Sequence, residues 1–147
     1  MTDASAIEQV VMAAKRHGVC LDSLFPYEPS TAGAAPPDKT TWDAARRNVF
    51  TAYWIKKQGT GKAEGLTDGQ VSEVFRALKN NHPVVISAVW SGRGIYHAVT
   101  IIGYRKPLNG KADQTRLEYI NSQQGTYESM SLPNFQSATI EAVYFQY

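Results

Sequence analysis

Apolar side chains at Ile7, Val10, Val11 and Ala14 recur at the i, i+3, i+4, i+7 spacing that lines one face of an α-helix. Ser5 and Glu8 stand where a capping box requires them, the serine hydroxyl accepting from a free N–H at the helix start while the glutamate reaches back to the cap. Lys15, Arg16 and His17 suit the negative end of the helix dipole, and Gly18 ends the element. The pattern therefore predicts a helix between Ser5 and Gly18 with a single buried stripe. A second helix follows from a Thr67–Gln70 capping box, with Val71, Val74, Phe75 and Leu78 at the same spacing and the stretch Asn80-Asn81-His82 before Pro83 as its stop.

Between these helices the pattern changes. Residues 19–41, VCLDSLFPYEPSTAGAAPPDKTT, are rich in Pro, Gly and small polar residues and read as an irregular surface connection anchored by Leu24, Phe25 and Tyr27. NVFTAYWIKK, residues 48–57, is β-branched and aromatic enough for a strand, and GTGKAEG, residues 59–65, reads as a flexible link. Four more runs read as strands: PVVISAVW (83–90), HAVTIIGYR (97–105), RLEYINSQ (116–123) and IEAVYFQY (140–147), with Asn109-Gly110 as a hairpin-turn signal between the second and third. The predicted order is helix, long loop, strand, helix and an antiparallel meander whose fourth strand closes the chain. This is an α+β architecture with helices packed on an antiparallel sheet or partial barrel, and no internal repeat is visible.

A chain of 147 residues can bury one sizeable core, so a single domain spanning residues 1–147 is expected. Hydrophobic residues at 43% and charged residues at 19% belong to a folded chain rather than a disordered one. The net charge of +2 comes without a basic run longer than pairs such as Arg46-Arg47, which argues against a nucleic-acid partner. No apolar run approaches the ~18 residues of a membrane helix, and MTDASAIEQ lacks the basic-then-apolar order of a signal peptide, so a cytoplasmic location is the default expectation. Cys20 is the one cysteine, which excludes an intramolecular disulfide and a cysteine-rich zinc site. His17, His82 and His97 do not fall at metal-ligand spacings, so neither a metal nor another cofactor is expected.

The chemistry concentrates in two places. His97 opens an otherwise apolar strand, and Asn121 stands where the next strand gives way to a turn. Two adjacent antiparallel strands joined by a hairpin bring such positions side by side. An asparagine oxygen accepting from one imidazole N–H fixes the tautomer and aims the other nitrogen at a reacting group. The plainer reading makes His97 a ring packed at the core edge and Asn121 a turn former bonded to local backbone.

In sequence, these pieces resemble the rear part of the papain-like cysteine peptidase family. HAVTIIGY resembles the strand that carries the family's catalytic histidine, which implies that role for His97. NSQQG resembles the family's NSWG, which implies Asn121 as the catalytic asparagine. ALKNNHPVVISAV is similar to the helix, Pro-Val and strand that precede the histidine, and AIEQVVMAAKRHGVCLDSLFPYEP is similar to a helix, Gly-Val and YPY passage, with Phe25-Pro26-Tyr27 at its end. The likeness spans nearly the whole chain in the right order and implies a papain-like fold.

Two departures qualify the resemblance. The family's nucleophilic cysteine begins a long helix in a motif like Q..CGSCWAF, and residues 1–147 contain no counterpart, so the resemblance implies a papain-like domain without its cysteine-bearing helix. Gln123 stands where the family has a tryptophan that shields the histidine–asparagine bond from water. Cys20 follows a helix C-terminus, where the dipole disfavours a thiolate, and reads as a small buried hydrophobe rather than a nucleophile. Ser5 lies at the right end of a helix but has no second element of a serine site.

Two functions follow from the resemblance. By that resemblance the chain is the histidine-bearing part of a split or truncated thiol peptidase, with His97 as general base and acid, or an inactive remnant of one; the alternative is a non-catalytic papain-like module that binds a peptide or protein. Absence of the cysteine helix would leave an exposed apolar face, so self-association or binding of a cysteine-bearing segment is expected.

Overall fold

In the computed structural model of the chain, the described residues are 6–17, 39–48, 50–57, 65–89, 96–108, 110–111, 114–121 and 125–146. The chain divides into two compact units, Met1–Thr51 with Tyr147, and Ala52–Gln146.

The first unit contains α1 (Ala6–His17) and α2 (Lys39–Arg47), which touch each other. Helix α1 lies where its periodicity places it, although Ser5 and Gly18, its expected cap and stop, fall outside the described residues. Its stripe is narrower than expected. Ile7 and Val11 are buried, whereas Val10 is 68% exposed. At 100° per residue Val10 trails Ile7 by about 60° while Val11 leads it by about 40°, which leaves Val10 on the flank. Helix α2 was not expected, and its first residues replace the end of the predicted loop. Among its residues of described burial, Ala45 alone is buried; the helix carries a Lys39–Asp43 ion pair at 2.7 Å and Arg46 and Arg47 in its last turn.

The second unit is built on a six-stranded antiparallel sheet. Its strands are β1 (Thr51–Lys56, whose first residue marks the unit boundary), β2 (Val84–Val89), β3 (Tyr96–Arg105), β4 (Arg116–Asn121), β5 (Thr126–Ser131) and β6 (Thr139–Gln146). Helices α3 (Asp68–Lys79) and α4 (Leu132–Ala138) pack against it, so the α+β class is as expected. The strand order is β1-β6-β2-β3-β4-β5. This corrects the expected meander, in which the last strand followed β4. Strand β5 takes that place, and α4 crosses from β5 beneath β4 to β2, which delivers β6 to the far side of β2.

Helix α3 forms as its capping box requires. The Gln70 N–H donates to the Thr67 hydroxyl at 3.2 Å, and the Thr67 N–H donates to the Gln70 side-chain oxygen at 2.9 Å. Its end is set by Asn81, whose φ of 59° places it in the left-handed region that asparagine tolerates. The Asn81 N–H then donates to the Leu78 carbonyl and the His82 N–H to that of Ala77, so the helix closes in a Schellman arrangement before Pro83.

One face of the sheet carries an extended apolar layer; Val143 of β6, fully enclosed, lies on the other face. Val84, Ile86, Ala88, Val99, Ile101, Leu117, Tyr119, Met130 and Ala142 are buried in that layer, against Val71, Val74, Ala77 and Leu78 of α3 and Phe135 of α4. Alternation along each strand and the cross-strand register put these residues on the same side. Burial of each larger aliphatic side chain is worth roughly 1.5–3 kcal/mol, so this face supplies most of the unit's cohesion.

Candidate functional site

The same alternation that builds the core carries it to a polar end. On β3, His97, Val99 and Ile101 point to the core side; on β4, Leu117, Tyr119 and Asn121 do so; on β5, Thr126, Glu128 and Met130 follow. The buried apolar layer of Ile101, Leu117 and Met130 therefore gives way, residue by residue, to a row of polar groups near the β4–β5 turn. That turn is closed by the Gly125 N–H donating to the Asn121 carbonyl at 2.8 Å, and Gly125 takes φ of 65°, which a side chain would resist.

Asn121 lies directly opposite Val99, and His97 is the diagonal neighbour two residues along β3. His97 Nε2 and Asn121 Oδ1 are 3.0 Å apart, and both side chains are half-buried. The two residues singled out in the sequence are thus brought into hydrogen-bond contact by the strand register.

Behind this pair stands a group of residues that sequence reasoning missed. Asn121 Nδ2 donates to Glu128 Oε1 at 3.1 Å, the Thr126 hydroxyl donates to the same oxygen at 2.8 Å, and the Tyr119 hydroxyl donates to Glu128 Oε2 at 2.7 Å. The carboxylate accepts three hydrogen bonds. The Tyr119 bond, then those of Thr126 and Asn121, hold the Glu128 carboxyl below its ordinary value, partial desolvation opposes them, and charge on His97 adds to the lowering. Tyr119 moves the other way: burial first, and then the hydrogen bond and negative charge of Glu128, push its phenol up to about 12.

Comparisons with protein-family models, with curated proteins and with solved structures find no match. The site therefore rests on its own geometry. Helix α3 and the core face hold β3 and β4 in register, the register sets the His97–Asn121 contact, and Glu128 holds the far side of the asparagine. Among the described residues no cluster of His, Cys, Asp and Glu could hold a metal ion. Cys20, Ser5, Gln123 and the Phe25-Pro26-Tyr27 passage lie outside the described residues. A signal for Glu128 was present in TYESMS, where Thr126, Glu128 and Met130 alternate with exposed Tyr127 and Ser129. Read as a strand returning from Asn121, that alternation faces Glu128 to Tyr119.

The shifts have opposite pH signatures. The lowered Glu128 pKa contributes stability that is complete above the ordinary carboxylate value of 4.5 and is lost as pH falls through the lowered value. Tyr119, raised from 10.0 to about 12, contributes stability that is complete below pH 10 and is lost as pH climbs toward 12. We expect Glu128→Gln to flatten the acid limb of a urea-midpoint profile and Tyr119→Phe to flatten the alkaline limb. Parallel profiles for wild type and both variants would contradict this account of the cluster.

Proposed function

We propose that the chain is the histidine-bearing part of a papain-like cysteine peptidase, with the nucleophilic cysteine supplied by a segment outside residues 1–147. The single observation that carries this reading is the 3.0 Å contact between His97 Nε2 and Asn121 Oδ1 on adjacent strands. Helices packed on one face of an antiparallel sheet support the papain-like fold, and the sequence motifs around both residues support the family.

In this reading His97 takes the proton of the incoming thiol, and the resulting thiolate attacks the carbonyl carbon of a peptide bond. The imidazolium then gives that proton to the departing amine as the C–N bond breaks, leaving a thioester. Water, losing a proton to His97, attacks the thioester carbon; the acid product leaves, and the proton returns to the sulfur. Asn121 accepts from the ring throughout and holds its plane. A second reading, a non-catalytic module that binds a peptide, is favoured by Gln123 at the position of the family's shielding tryptophan.

The test is complementation. The purified chain is mixed with a peptide that carries a papain-type cysteine helix, and binding, hydrolysis of a fluorogenic peptide amide and adduct formation with a thiol-directed active-site probe are followed together. Hydrolysis with an adduct on the added cysteine is the expected result. Binding without hydrolysis favours the second reading, and neither binding nor hydrolysis sinks the first. A His97-dependent adduct on Cys20 would make the chain a self-contained thiol hydrolase instead.

A further inference from the structure

We infer that Glu128 is a positioning residue that dictates the tautomer of His97 through Asn121. A side-chain amide can turn either end toward a neighbour, and only its hydrogen-bond partners decide which. An ionised carboxylate has no proton to give. Glu128 Oε1, 3.1 Å from Asn121 Nδ2, can only accept, so the asparagine must present its NH₂ group to the glutamate. Its Oδ1 then faces His97 Nε2 at 3.0 Å and can only accept in turn. The neutral ring must therefore carry its proton on Nε2, which makes Nδ1 the basic nitrogen.

Thr126 and Tyr119 make the arrangement robust. Their hydroxyls donate to the two carboxylate oxygens at 2.8 and 2.7 Å, which favours the charged form of Glu128 and fixes where its oxygens stand. All four hydrogen bonds run one way, from His97 to Asn121 to Glu128 and from Thr126 and Tyr119 to Glu128. The source of this polarity is an acid on β5, one strand beyond the asparagine. The consequence for catalysis rests on the papain-like reading, because only a nucleophile near the ring makes a fixed basic nitrogen useful. The tautomer itself does not depend on that reading.

The test reads the ring directly. Long-range ¹H–¹⁵N spectra of the labelled full chain at about pH 9, above the ordinary imidazole range, separate the protonated from the unprotonated ring nitrogen. His97 signals are identified by their loss in His97→Ala. The wild type is expected to show the proton on Nε2, and Glu128→Ala to reduce the excess of that tautomer by about three- to tenfold, the worth of one net hydrogen bond. Glu128→Gln, whose amide can present either its oxygen or its NH₂ group to Asn121, is expected to reduce the excess as well, because the acceptor-only carboxylate is gone. A wild-type ring protonated on Nδ1 overturns the assignment without any variant, even if Glu128→Ala fails to fold. An excess unchanged in folded Glu128→Ala and Glu128→Gln overturns it as well. Failure of the complementation assay, by contrast, would remove the peptidase reading and leave the tautomer result standing.

Discussion

Replacing Phe135 with alanine is expected to cost about 3–5 kcal/mol of folding stability, the range for deleting a fully buried aromatic ring. Phe135 is 0% exposed and is the largest of the fully enclosed side chains among the described residues. It sits on α4, the short helix that crosses beneath β5, β4 and β2, so the strands around the vacated volume are tied into the sheet and cannot easily close over it. Domains of this size are stable by only about 5–15 kcal/mol, so the loss is a large fraction of the total. At roughly 2–4 °C per kcal/mol the midpoint of thermal unfolding should fall by about 10 °C. Tyr127→Ala is the control. Tyr127 is 77% exposed and lies on β5 facing away from the α4 side, so its removal should stay within about 0.5 kcal/mol. Urea titrations of the three proteins decide the matter: a Phe135→Ala loss no larger than that of Tyr127→Ala would mean that α4 does not anchor the sheet.

That dependence on α4 also marks the boundary of what sequence patterns reveal here. Helix α3 and strands β3 and β4 are each legible because a single side is buried over many residues, and burial writes its period into the chain; β2 is legible as a short apolar, β-branched run behind Pro83. The capping box at Thr67 and Gln70 and the stop at Asn81 are local arrangements made by residues a few positions apart, so they can be read without knowing the fold. Helix α4 is short, begins with Leu132-Pro133 and buries Phe135 completely, which is too few apolar positions to show a helical period. Strand β5 alternates, but its outward positions include Tyr127, which blurs the contrast between its sides. Missing these two elements misplaces β6, because a strand's neighbours depend on how the chain crosses the sheet and not on the strand's own residues. The thread from sequence to site shows the same division. His97 and Asn121 are legible because each ends a readable strand. Tyr119, Thr126 and Glu128 are not, because their joint role exists only once β5 lies beside β4.

The largest effect should come from the ring at the centre of that row. On the proposed papain-like reading, His97→Ala in the chain complemented with a cysteine helix is expected to lower kcat/KM for peptide hydrolysis by about 10²- to 10⁴-fold, the usual contribution of a positioned general base and acid. The loss should fall mainly on kcat, because the ring acts on protons in flight during bond making and breaking and not on the resting substrate. The fold should survive. His97 is half-buried at the polar end of the core face, and its loss leaves Asn121 Oδ1 at a site that water can reach, whereas Val99 and Ile101 continue to hold β3 against α3. The unfolding free energy of His97→Ala from urea titration should therefore lie within about 1 kcal/mol of the wild type, the worth of one net hydrogen bond. This separation of rate from stability is what distinguishes a catalytic histidine from a core histidine with satisfied nitrogens. A variant with unchanged turnover and reduced stability would return His97 to the structural role. Unchanged stability with turnover lost would place the ring in the proton path, where the register of β3 against β4 has brought it to Asn121.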